Sequence, residues 1–167
     1  MRFLGLAMAT VLAAGAALAA GDDLPPPDTR PLGKFGCPTV IEGKWVPFSR
    51  GTDEEMGDLE VKENSVVLGA HGEIPFKRHY DDKGREYWEL LTPFKAGTYM
   101  SKMGKWARLH FPEDWQTDPI SACLLAFEVF FSEVDALKQL QGRRDYYGTQ
   151  HNFISPQRHY DLMHLRR

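Results

Sequence analysis

From Lys44 to Phe111 the chain alternates short apolar runs with turn residues, and this punctuation constrains the fold more than any other feature. The stretch "GKWVPFS" reads as a strand interrupted by Pro47, which removes a ladder donor and confines the strand to an edge or a bulge. In "GDLEVKENSVVLGAHG", Leu59 and Val61 alternate with polar residues, Glu63-Asn64 makes a turn, and Val66-Val67-Leu68 resumes before Gly69. "IPFKRHY" and "REYWELL" flank "DDKG", the composition of a hairpin turn. "GTYMSKMGKWARLHF" alternates Tyr99, Trp106, Leu109 and Phe111 imperfectly, with Gly104 marking a turn or bulge. The pattern predicts five or six antiparallel strands in a meander.

Past Asp118 the period changes. Asp118-Pro119 has the form of an N-cap followed by proline at the first helical position. Wound as a helix, Ser121, Glu128, Ser132, Asp135 and Gln139 form one polar stripe. Cys123, Phe127, Phe130, Val134 and Leu137 fall opposite. With Gly142 as the C-terminal stop, this predicts a long helix over 119–141. The competing reading is a buried strand at 122–131 followed by a short helix opened by the capping box "SEVD". It leaves Glu128 in the middle of an apolar strand. "RHYDLMHLRR" reads as a final strand. The expected class is α+β: a curled antiparallel sheet or partly open β-barrel, with one long amphipathic helix and a C-terminal strand.

Residues 1–20, "MRFLGLAMATVLAAGAALAA", combine a basic start, an uncharged apolar run and a small-x-small cleavage site, the pattern of a secretory signal peptide. Residues 21–36 are polar and proline-rich, an arm whose Pro25-Pro26-Pro27 favours extended geometry. Residues 37–167 are read as one domain. An exported chain with two cysteines, Cys37 and Cys123, is expected to bond them. Closing so long a loop is worth roughly 4–5 kcal/mol in the chain-entropy account. The expected location is the periplasm or the extracellular space.

Gly43-x-Trp45 at the start of the first strand, with "LRR" at the chain's end, resembles the small secreted barrels of the calycin group, which include the lipocalins. It also resembles the bacterial periplasmic inhibitors of secreted metalloproteases. The resemblance implies a small barrel in which a C-terminal basic residue, here Arg166 or Arg167, packs across Trp45. The long helix and the cysteine placement depart from the inhibitor pattern.

Without Arg2 the chain carries 19 basic and 23 acidic groups, a net charge of −4, which is no nucleic-acid footprint. Nothing after the leader is apolar and long enough to span a bilayer. There is no C-x-x-C, no H-E-x-x-H, no phosphate loop, no dinucleotide fingerprint and no nucleophile elbow. No cofactor, metal site or catalytic residue is therefore expected. His159 and His164, on a strand, would point to opposite faces. Asp53-Glu54-Glu55 reads as a solvated turn, and the acidic stretch 51–63 opposes a basic C-terminal stretch, a polarity that suits a charged partner. "RRDYYGTQHNF" joins Arg143, Arg144, Tyr146, Tyr147 and Phe153 among backbone breakers, the composition of a contact loop. The leading expectation is an exported non-enzymatic protein that binds a protein partner or a small apolar ligand. One alternative is a hydrolase inhibitor with the proline-rich arm as its insertable element. Another is a small enzyme whose site assembles only in three dimensions.

Overall fold

A computed structural model describes residues 24–98 and 100–164. The leader at 1–20, Tyr99 and Arg166 lie outside the described residues. Eight strands run up and down in chain order and close into one antiparallel barrel. They are β1 (Gly43–Pro47), β2 (Leu59–Val61), β3 (Ser65–Leu68), β4 (Gly72–Tyr80), β5 (Glu86–Phe94), β6 (Gly104–His110), β7 (Leu124–Phe130) and β8 (Gly148–Ile154). Among the described residues three α-helices decorate it: α1 (Arg50–Met56) between β1 and β2, α2 (Glu133–Leu140) between β7 and β8, and α3 (Pro156–His164) after β8. The meander is as expected, but the sheet is closed, not partly open.

The strand that closes the barrel is β1, and it changes partner halfway. Gly43 to Trp45 pair with β2, and Val46 and Pro47 pair with β8. The Phe48 N–H continues toward β8, reaching the Asn152 carbonyl at 3.0 Å. Pro47 has no N–H to offer, so the proline that the sequence restricts to an edge sits where the ladder is handed from one neighbour to the other. Residues "IPFKRHY" and "REYWELL" pair as β4 and β5 around Asp81, whose carboxylate accepts from the backbone N–H groups of Lys83 and Arg85. Gly104 opens β6 where the β5–β6 register shifts; a Cβ there would collide with Val129.

The predicted helix over 119–141 is not formed. Asp118 does cap, accepting from the N–H groups of Ile120 and Ser121, but only a single 3₁₀ turn (Ser121–Cys123) follows. β7 then begins. Its lumen face carries Leu125, Phe127 and Val129, and its outer face, with Ala126, Glu128 and Phe130, is also buried. A strand covered on both sides loses its alternation and reads as a continuous apolar run, which periodicity cannot separate from a helix. The "SEVD" capping box is the true helix start: Ser132 accepts from the Asp135 N–H at 3.2 Å and donates to the Asp135 carboxylate at 2.6 Å. The single long helix is thus replaced by a strand and an eight-residue helix. The predicted final strand is α3, opened by Pro156 at its first position. His164 stacks on Tyr160 one turn away at 3.8 Å.

Three apolar clusters result. The lumen holds Trp45, Met56, Phe76, Trp88, Phe127 and Phe153 among others, with Phe76 and Trp88 stacked at 3.9 Å. Outside the wall, α2 lays Ala136 and Leu140 over Tyr87 and Phe130. A third cluster gathers Cys37, Ala122, Cys123 and Ile154 beneath α3.

Candidate functional site

Trp45 is fully buried, and its indole N–H donates to the Ile41 carbonyl at 2.7 Å. A cation lies across it from the N-terminal arm; Arg166 and Arg167, the residues to which the resemblance gives that part, lie outside the described residues. The Arg30 guanidinium lies 4.5 Å from the Trp45 ring centre. It donates to the carbonyls of Glu42 (3.2 Å) and Lys44 (3.1 Å) and holds the Asp28 carboxylate at 2.5–2.8 Å. Glu42 and Lys44 are two apart, so their carbonyls leave the same edge of β1, the edge that faces β8, at positions before the β8 pairing begins at Val46. Arg30 therefore occupies the place of a neighbouring strand. Gly43 is required twice: its φ is +102°, and an added Cβ would come within 3.0 Å of the Arg30 side chain. The Gly-x-Trp signature has a local physical basis, a platform and the clearance for a cation upon it. That the cation is Arg30 was legible only as "DTR" in a segment read as a surface arm.

The arm is fastened a second time. Pro31 to Thr39 fold back on themselves, with the Gly33 N–H on the Cys37 carbonyl and the Thr39 N–H on the Pro31 carbonyl. Cys37 is bonded to Cys123 in the buried cluster that includes Ile154 of β8.

The expected contact loop divides. Phe153 belongs to the lumen and is fully buried. Tyr146 packs edge-on against Phe130 at 5.7 Å, and burial pushes its phenol up. Arg143 is tied to Asp145 at 2.6 Å, and that bond brings the Asp145 carboxyl down to about 2. Arg144 is exposed, and Tyr147 is 73% exposed. Arg143, Arg144 and Tyr147 stay at the surface, whereas Phe153 does not.

The buried Glu128 and His151 are engaged in structure. Glu128, the awkward carboxylate of β7, is 3% exposed and lies 3.2 Å from His110. Beside it Arg108 donates to Gln139 of α2 at 2.7 Å. Burial pulls the Arg108 guanidinium down, and Glu128 works against that shift. Inside the barrel end, His151 is 4% exposed. Its Nε2 contacts the Ala96 carbonyl at 3.2 Å, and its Nδ1 lies 3.8 Å from Glu55. Glu55, read as part of a solvated turn, sits on α1 and accepts from the Thr98 N–H at 2.9 Å, which holds its carboxyl below the ordinary value. Burial pushes the His151 imidazole below its ordinary value. Among the described residues no three His, Cys, Asp or Glu side chains converge as a metal site.

Large buried side chains crowd the lumen, and hollows open on the outside of the barrel. A groove of about 590 Å³ runs between the arm (Pro26, Pro27), the outer faces of β1 to β3 (Lys44, Val46, Glu60, Val67) and the start of α3. A second hollow of about 370 Å³, beside Phe48, Arg50 and Asp53, adjoins it through Val46 and Asp58. Together they form a furrow along the strand that closes the barrel.

Comparison with protein-family models, with curated proteins and with solved structures finds no match for this chain. The architecture, a closed eight-stranded antiparallel barrel, is consistent with a lipocalin-like barrel.

Proposed function

We propose that this chain is an exported, non-enzymatic binding protein that engages a protein partner through its outer surface. The observation that carries the reading is the solid lumen: Trp45, Trp88, Phe127, Phe153 and their neighbours occupy the space in which a barrel of eight strands would hold a small ligand. An apolar passenger would have to displace close-packed side chains, at a cost comparable to opening a core cavity. The surface furrow beside Val46 supports recognition from outside instead. A buried disulfide, and the absence among the described residues of a helix able to cross a membrane, are compatible with export. The arm serves this reading better as one wall of the furrow than as an insertable element, since Arg30 and Cys37 hold it down at two points.

The test is site-specific photo-crosslinking in the expressing cell, with the reactive residue at Lys44 in the furrow or at Leu91 on the far wall. A discrete polypeptide adduct supports the reading. Absence of any polypeptide adduct at both positions, together with co-purification of a stoichiometric small molecule, defeats it.

A further inference from the structure

The furrow has length, shape and a charge sign. It follows β1 from the arm at Pro26 to Phe48 and Asp53 beyond the strand's end. β1, the strand it follows, has five residues and spans about 17 Å at the usual strand rise. Val46 and Val67 supply an apolar floor, and Phe48 is 44% exposed at one end. Three carboxylates border it: Asp53, Asp58 and Glu60. Among the described residues none of the three makes a salt bridge, whereas the neighbouring cations Arg30 and Arg50 are paired with Asp28 and Glu54. Lys44 is the remaining ammonium, so the border carries a surplus of negative charge. This is the acidic stretch that the sequence sets apart at 51–63, now placed along a groove.

We infer that the furrow beside β1 takes an extended segment of a partner protein in which apolar side chains alternate with Lys or Arg. Such a segment sets its apolar side chains on Val46, Val67 and Phe48 and directs its cations to Asp53, Asp58 and Glu60, the division of labour of an extended peptide on a sheet surface. The inference rests on the proposed outer-surface binding function and names the chemistry of its partner.

The probe is a fluorescein-labelled hexapeptide of alternating valine and arginine, with a valine–glutamate hexapeptide as its counterpart, titrated by fluorescence anisotropy against the oxidised protein. The arginine peptide binds and the glutamate peptide binds at least tenfold more weakly. The double variant Asp58→Asn/Glu60→Gln weakens the arginine peptide by about five- to tenfold, as expected for two rim charge pairs. Asp82→Asn, in the β4–β5 turn, leaves it unchanged. Amide shifts fall on residues 44–46, 48 and 58–60, and thermal unfolding of the double variant shows that the fold is intact. Equal affinity for the two peptides, full affinity in the double variant, or no binding of either peptide overturns the inference. A polypeptide crosslinked from Leu91 but not from Lys44 also overturns it, while leaving the binding function standing.

Discussion

Arg30→Ala removes one side chain from the arm and should cost far more than a surface arginine. The guanidinium 4.5 Å over Trp45, with only 11% of its side chain exposed, contributes about 2 kcal/mol as a largely desolvated cation–π contact. Its bonds to the Glu42 and Lys44 carbonyls are reachable by water, so each adds no more than about 0.5 kcal/mol net. The loss of all three is about 3 kcal/mol. A domain of this size shifts by roughly 3–4 °C per kcal/mol, so Tm falls by about 10 °C. The assay is urea unfolding of oxidised protein followed by tryptophan emission, with the disulfide intact so that the arm stays tethered. Arg30→Lys keeps the charge but neither the flat stacking face nor the fork that spans two carbonyls, and should recover less than half of the loss. A loss below 1 kcal/mol in Arg30→Ala, or full recovery in Arg30→Lys, would refute the strand-surrogate role of Arg30.

Glu128→Ala leaves the half-buried Arg108 and His110 without their neighbouring carboxylate, and should destabilise by about 1–3 kcal/mol in denaturant titration, with Glu128→Gln milder. Ser132→Ala removes the α2 cap and should cost about 1 kcal/mol, where a helix over 119–141 would predict no loss; equal stability would restore the long helix. Alkylation before and after reduction, read by intact mass, should find both thiols protected until the Cys37–Cys123 bond is cut. The folded pKa of His151 is lowered by burial, so the unfolded chain takes up the proton first as pH falls. Its contribution is complete above about 6.5 and is lost as pH drops through that value toward the folded pKa. The Glu55 carboxyl, also lowered, adds stability that is present above its ordinary pKa and fades below it. Acid unfolding of His151→Gln should therefore lack the limb that begins near neutrality; superimposable profiles of the variant and the parent would remove His151 from the account.

Strands such as β2 and β4 were legible because one face lies in the lumen and the other toward water, so alternation survives. β7 was not, because α2 and Tyr146 cover its outer face and erase the polar half of the pattern. Glu128, which argued against a strand, is accommodated by His110 on the neighbouring strand, a pairing between residues 18 positions apart that no local window contains. The capping box at Ser132 was a correct local signal overruled by a longer periodic one. Pro156 after Ser155 was a helix-start signal hidden by the reading of "RHYDLMHLRR" as a strand. Trp45 was legible as a barrel marker. Arg30 was not, because a cation that acts by lying on a distant ring leaves no spacing in the sequence. The acidic stretch 51–63 was legible as charge, but only the fold shows that Asp53, Asp58 and Glu60 border a groove.

The central claim is that the barrel is solid and works from outside. Native mass spectrometry of the protein purified gently from its own cells tests this most directly. The account predicts a disulfide-bonded chain free of small-molecule adducts, with a fraction bound to a second polypeptide. A stoichiometric apolar small molecule that survives purification, and whose removal lowers Tm, would contradict it.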